Sequence, residues 1–533
     1  MTSFLHPGVY VLEVPGGARS IEGAPTGITI FVGETEFGPV GPTRISGRTD
    51  YERFFGGYLR VDNNGNPVTL LMPYGLDGYF RNGGTSAYIL RAMDGFAAAV
   101  AASRPLTTQA VPSIAASSPG IWANNRLSVL MTDSTDGDAD RFRLIVFYES
   151  PSDGQVRRVE DFDRLIDDDA DENYMVDVLL RSRFVRWVDG VNPVAADRDA
   201  IVAADPANPT EEELIGSATA LAGGTGGGPA TSNADLQNLL DRLAGVDDAA
   251  LLVAASEQLL TLGDAQFVTL ENLFVDYANS RPLQDLFFVG DLPRLNTNAT
   301  PATRAVDHMR GSNGAQQVTA TTFNAVYWPQ IRVADPIGAG TNPTRVIPPA
   351  GYVAGLYNRI DARRGVWKAP AGTEASLAGV TAVDFEVLDI HQDSLNPRGI
   401  DAIRRVPQAG LVVWGARTTQ PSTEWRYVPV RRTAIFLRKS IYNGIQWAVF
   451  EPNDEPLWQS LRNTIGGFME TQFRNGAFAG RTSSDAYFVK VDAETTTPID
   501  QAAGVVNILV GFAPLHPAEF VVVRLSQKTA EAA

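Results

Sequence analysis

The sequence contains no cysteine. That excludes disulfide staples and thiolate metal sites, and it fits folding in a reducing compartment. Histidine is nearly as scarce: His6, His308, His391 and His516 are too scattered for zinc-ligand spacing. Lysine occurs only at Lys368, Lys439, Lys490 and Lys528, so almost all positive charge is arginine. Arginine's planar fork binds carboxylates bidentately and suits interface ion pairs. No run of about 18 apolar residues is present, which argues against a transmembrane helix. The opening MTSFLHPGVYVLEVPGG lacks a basic n-region and a continuous apolar stretch, so no secretory signal is expected there.

Catalytic motifs are missing as well. There is no Gly-x-Ser-x-Gly elbow. The glycine-rich residues 223–233, GGTGGGPATSN, are not followed by Gly-Lys-Ser/Thr, so they read as a linker rather than a phosphate cradle. Asp167, Asp169 and Asp171 have the opening spacing of a calcium loop. Glu172 then stands where glycine is needed and Val178 where the bidentate glutamate belongs, which favours a solvated acidic turn. No catalytic, cofactor or metal residue is assigned, and a hydrolase stays open only through paired carboxylates.

What remains is a globular composition: 533 residues, 44% hydrophobic and 9% aromatic. This length predicts two to four domains. With 44 basic against 61 acidic residues the net charge is −17, which argues against non-specific nucleic-acid binding.

Along the chain, residues 8–14, GVYVLEV, form a short β-run ahead of Gly16-Gly17. Residues 28–32 and 87–91 read as strands, and 50–55 and 74–81 as helices. From 96 to 228 the character changes to strands at 127–131 and 142–148 with acidic turns, an exposed insertion. Beyond the linker, helices are expected at 234–244, 265–278 and 302–309, alternating with strands at 251–254, 286–289 and 323–327. This alternation predicts a layered, doubly wound sheet. Residues 336–349 are rich in glycine and proline and suggest a boundary. After it come helices at 351–360 and 433–443, and strands at 410–414, 446–450, 486–491 and 505–512. A helix from Pro456 carries an apolar face of Leu457, Leu461, Ile465, Phe468 and Met469, with Gly476 as its C-cap. Residues 519–525, EFVVVRL, are a last isolated β-run. The fold class is α/β and α+β multidomain.

Charge is distributed unevenly. Between residues 398 and 439 nine basic residues are opposed only by Asp401 and Glu424. Arg404, Arg405, Arg426, Arg431, Arg432, Arg438 and Lys439 fit either ion pairs within the fold or a basic surface docking on an acidic partner.

Several long stretches carry a family likeness: PPAGYVAGLYNRIDARRGVWKAPAG (348–372), LNPRGIDAIR (395–404), VVWGARTT (412–419), EWRYVPVRR (424–432), QWAVFEPNDEPLW (446–458) and PAEFVVVRLSQKT (517–529). Near the start, PGVYVLEVPGGARSIEGAPTGITIFVG (7–33) and YFRNGGTSAYILR (79–91) add to it. In these the chain resembles the contractile tail sheath family of myophage tails and phage-tail-like injection systems; residues 96–228 match poorly. The resemblance implies a homopolymer of stacked hexameric rings around an inner tube, contracting without nucleotide hydrolysis and meeting baseplate and terminator proteins. It implies no enzymatic activity, no cofactor, no direct nucleic-acid contact and no membrane insertion. Assembly would take place in the bacterial cytoplasm, for a virion tail or an injection particle.

Mapped here, the resemblance makes Gly8, Val9, Tyr10, Val11, Leu12, Glu13 and Val14, with Glu519, Phe520, Val521, Val522, Val523, Arg524 and Leu525, strand-exchange arms. The basic residues would face the tube. The expected plan is an N-terminal arm with first strands (1–32), α/β core (33–95), outer insertion (96–231), core again (232–348), C-terminal α+β sheath domain (349–516) and C-terminal arm (517–533). Another strand-exchanging tube or shell protein, and an α/β enzyme, are the alternatives.

Overall fold

The structure, a computed structural model, describes residues 20–95, 98–106, 112–188, 193–203, 208–226, 232–295, 298–420 and 424–520. β1 (Thr29–Glu34) is buried along its whole length. A strand covered on both faces needs apolar residues at successive positions, the pattern of a parallel sheet's interior. β2 (Thr43–Ile45), α1 (Met72–Arg81) and β3 (Ala87–Ala92) follow.

The segment after β3 is β-rich. β4 (Leu127–Asp133), β5 (Phe142–Glu149) and β6 (Val156–Leu165) form an antiparallel meander, with Leu127 opposite Tyr148 and Leu144 opposite Phe162. Its core gathers Trp122, Tyr148 and Phe184 around Phe37, which comes from before the segment. The Phe37 ring lies 5.1 Å from Trp122 and 5.6 Å from Phe184. The expected free linker is partly built in. Gly224 donates its N–H to Asn124 Oδ1 at 2.8 Å, and Thr225 pairs with Val100.

The core resumes with β7 (Leu251–Ala254), α2 (Asp264–Ser280), β8 (Phe287–Asp291) and β9 (Asn324–Trp328). These strands are buried throughout, as their apolar runs predict. α3 (Ala350–Arg364), β10 (Ile400–Val406) and β11 (Gly410–Val413) complete it. The eight strands run in the order β2-β3-β1-β7-β8-β9-β10-β11. From β3 to β10 they are parallel, and β2 and β11 are antiparallel edges. Strand order reverses beside β1, as in a doubly wound sheet.

Glycines in α1 and α3 allow those helices to meet backbone to backbone. A Cβ on Gly351 would lie 2.6 Å from the Gly75 carbonyl oxygen, and one on Gly355 2.3 Å from that of Tyr79. No larger residue fits without moving backbone, which gives the AGYVAG stretch its physical reason.

Two expectations about boundaries are corrected. Of the glycine- and proline-rich residues 336–349, 336–343 lie in the loop between antiparallel strands Ile331–Ala334 and Thr344–Ile347, and 344–347 are the second strand, so the stretch is part of a hairpin rather than a domain junction. The chain divides later instead: residues 25–363 with 369–431 form one compact unit, and 1–24 with 364–368 and 432–533 the other. β10 and β11, expected in the C-terminal domain, belong to the central sheet because β10 pairs with β9.

In the C-terminal unit, α4 (Val428–Gly444), whose first turn belongs to the central unit, is followed by α5 (Glu455–Arg474), β12 (Tyr487–Lys490) and β13 (Leu509–Phe512). Asp454 caps α5 by accepting the Leu457 N–H at 3.3 Å, and Leu457, Leu461, Ile465, Phe468 and Met469 are buried as their spacing predicts. Gly476 follows α5 at φ +82°. The strand expected at 446–450 is a short 3-10 turn, Gln446–Ala448, followed by Phe450 at φ +71° and fully exposed. The strand expected at 505–512 is confined to Leu509–Phe512. Near its start, Ala24 donates its N–H to Ser440 Oγ at 2.8 Å, and Ile21 packs over Gly444.

Candidate functional site

In open α/β sheets, ligands bind beyond the carboxyl ends of the strands where strand order reverses. Here that place lies past β1 and β7, and it is filled by side chains. Glu34 accepts hydrogen bonds from Ser256 Oγ at 3.1 Å and the Glu257 N–H at 2.9 Å. Arg60 Nε donates to Glu257 Oε2 at 2.8 Å. Burial above all, with the Glu34 charge nearby, raises Glu257 to about 7 against the pull of Arg60. Glu36 is raised too, chiefly by burial, although Tyr148 Oη donates to it at 2.6 Å and the Gly57 N–H at 2.6 Å. The enclosed space beside these groups is about 20 Å³, room for one water rather than a substrate. This charged knot ties the β-rich segment to the core.

The acidic turns are held by arginines. Asp171 meets Arg141 at 2.5 Å, Asp133 meets Arg198 at 2.5 Å, and Asp136 meets Arg164 at 3.7 Å.

The seven cations expected to form one basic surface differ in burial and fall in both units. Arg404, Arg405, Arg426 and Arg431 lie in the central unit, and Arg432, Arg438 and Lys439 in the C-terminal unit. Arg431, Arg432 and Lys439 are buried, at 7%, 4% and 3% exposure. Their place on α4 explains this, because that helix turns them inward with its apolar residues. The Arg431 guanidinium sits 3.9 Å from the centre of the Trp425 ring and 4.5 Å from that of Phe323, a cation–π clamp. Arg404, half-buried, meets Asp389 at 2.7 Å. Arg426 is also half-buried, and only Arg405 and Arg438 are exposed.

Both β-run calls lie mainly outside the described residues. Gly8, Val9, Tyr10, Val11, Leu12, Glu13 and Val14 do, as do Val521, Val522, Val523, Arg524 and Leu525. Of the C-terminal run, Glu519 and Phe520 are described, outside any strand, with Phe520 77% exposed. Exposed apolar side chains were not anticipated from sequence. In the C-terminal unit Val449, Phe450, Ile499, Leu509 and Phe488 are all substantially open to solvent. Phe450 gave a faint sequence signal, being an aromatic just before Glu451-Pro452 with no turn back to a partner strand.

Two family models match consecutive segments with this architecture: the phage tail sheath protein central domain over residues 230–419, and the phage tail sheath C-terminal domain over 420–528. The chain belongs to the phage tail sheath family. Among curated relatives of this sheath chain, a putative prophage major tail sheath protein of Pseudomonas aeruginosa (strain UCBPP-PA14) is 27% identical over 195 residues, 36% of this chain and 48% of that protein. The tail sheath protein of Burkholderia phage BcepMu is 30% identical over 162 residues, 29% of this chain and 33% of that one. The matches thus span less than half the length of the curated relatives.

Solved sheath structures follow the fold much further. The anti-feeding prophage helical sheath in its contracted state has a TM-score of 0.57 at 22% identity, covering 99% of this chain and 100% of that one. The sheath tail protein Lin1278 of Listeria innocua has a TM-score of 0.57 at 13% identity, covering 93% and 97%. Among the described residues, no helix is long and apolar enough to cross a membrane.

Proposed function

We propose that this chain is a contractile sheath subunit. It polymerises into stacked six-membered rings around an inner tube and contracts to drive the tube through an envelope. The observation carrying this reading is the pair of adjacent sheath-domain matches across residues 230–528, supported by a fold likeness to a contracted sheath along nearly the whole chain. Residues 8–14 and 519–525 act as arms that complete sheets in neighbouring copies through backbone hydrogen bonds. Contraction is rigid-body movement between two packings of the same folded units. The inner tube, a baseplate and a terminator are its partners, in a phage tail or prophage-derived particle assembled in the bacterial cytoplasm. Of the seven cations, Arg405 and Arg438 are the exposed ones and would face an acidic tube, whereas reversing buried Arg431 or Arg432 disturbs the fold before any interface. Electron microscopy of the purified chain expressed alone tests the reading. Long hollow tubes of stacked rings are expected; closed shells or discrete small oligomers contradict it.

A further inference from the structure

Two carboxyl groups sit together in the central unit, with no cation beside them among the described residues. Glu271 comes from α2 and Asp291 from the end of β8, and they are 4% and 1% exposed. Glu271 Oε2 accepts the Asp291 backbone N–H at 3.0 Å. Asp291 Oδ1 accepts the N–H of Ala350, the first residue of α3, at 2.9 Å. Glu271 Oε1 and Asp291 Oδ2 have no hydrogen-bond partner.

Among the described residues no charged side chain compensates the pair. α2 brings Glu271, β8 brings Asp291, β9 brings the uncharged Asn324 and α3 brings only its backbone amide. The only groups acting on either carboxyl are the other one and these backbone amides. Asn324 is 1% exposed, and neither atom of its amide has a partner. The position that a Cβ on Gly290 would occupy is 2.9 Å from Glu271 Oε2 and 3.1 Å from Asn324 Oδ1. Glycine there leaves the acid and the amide facing one small gap. Two buried like charges without a counterion are untenable at low dielectric, so the pair must hold a proton.

We propose that Glu271 and Asp291 share a proton in the folded chain, and that this proton is what lets the two buried acids sit side by side. The pair is an alkaline-sensitive contact between α2, β8 and α3. Burial raises Glu271 from its ordinary 4.5 to about 8. Burial first, and then Glu271, raises Asp291 well above its ordinary range. Between about pH 4.5 and 8 the folded chain therefore keeps a proton that the unfolded chain has released. Over that window the pair's contribution to the folded-to-unfolded ratio falls about tenfold per pH unit, and Asp291 extends the fall to higher pH.

The test compares wild type with the double variant Glu271→Gln/Asp291→Asn, which is neutral and nearly isosteric at both positions, by urea denaturation from pH 5 to 9. The ratio of their unfolding constants is expected to shift by about tenfold per pH unit between pH 5 and 8, in favour of the variant as pH rises. A ratio that does not change with pH overturns the proposal. Should the variant not fold, infrared spectra of the wild type at pH 7 decide. A protonated-carboxyl carbonyl band lost on unfolding supports the shared proton, and its absence overturns it. A wild-type melt that shifts with calcium or EDTA would also overturn it, by putting a metal where the proton is assigned.

Discussion

The central and C-terminal units differ most in their sheets. In the central unit, β1, β7, β8 and β9 are buried end to end, and the largest fully enclosed rings are Trp328, Tyr327, Tyr357, Phe274 and others around the sheet. Among its described residues, the C-terminal unit has most of α4, the longer amphipathic α5, and a sheet of two strands, β12 and β13. A two-stranded sheet is marginal alone and leaves edge amides and carbonyls unpaired. This unit also exposes Phe450 at 103%, Ile499 at 82% and Leu509 at 52%. The contrast lies in the sheets: the central unit encloses a buried eight-stranded sheet, whereas the described part of the C-terminal unit has a two-stranded one; exposed apolar side chains occur in both, Val202 and Ile390 of the central unit among them.

The largest expected effect tests closure of the central unit. Arg281 is buried, donates to Asp285 Oδ1 at 2.7 Å and to the carbonyls of Leu243 and Val246. Arg281→Met strands the Asp285 carboxylate and should cost about 3–5 kcal/mol in urea denaturation. Next, Leu461→Ala empties the fully buried centre of α5 and should cost about 2–5 kcal/mol, with faster amide exchange confined to the C-terminal unit. Loss of protection in the central sheet as well would show that the units are not separable. Asp454→Ala removes the α5 cap and should cost about 1 kcal/mol.

The smallest effect on stability discriminates best. Phe450 has a left-handed backbone and no burial to offset it. Phe450→Gly should leave stability unchanged or raise it by up to about 1 kcal/mol. Polymer yield by sedimentation should nevertheless fall. Unchanged polymer yield would mean that the exposed apolar surface has no part in assembly.

Much of this architecture could be read from residue patterns. Continuous apolar runs such as LLVA and FFVG gave the buried parallel strands, because burial on both faces leaves no room for alternation. The α5 face was legible for the same reason at helical spacing. Residues 446–450 misled because QWAVF has strand-like composition but, among the described residues, no neighbouring strand to pair with; composition reports preference, and pairing decides. The arginines of α4 misled because counting charge says nothing about direction, and Arg431 ends against Trp425 and Phe323. Residues 336–349 were read as a junction because glycine and proline punctuate hairpin loops and linkers alike. Glu271 and Asp291 gave no signal, since only the topology of α2, β8 and α3 brings two ordinary acids together.

The central claim is that the chain folds by itself but is completed by its neighbours through the two terminal runs. Removing residues 1–18 and 518–533 together, then following both melting and electron microscopy, tests this directly. The predicted result is a melting transition close to that of the full chain with no tubes formed. Tubes of ordinary appearance from the doubly truncated chain would contradict it.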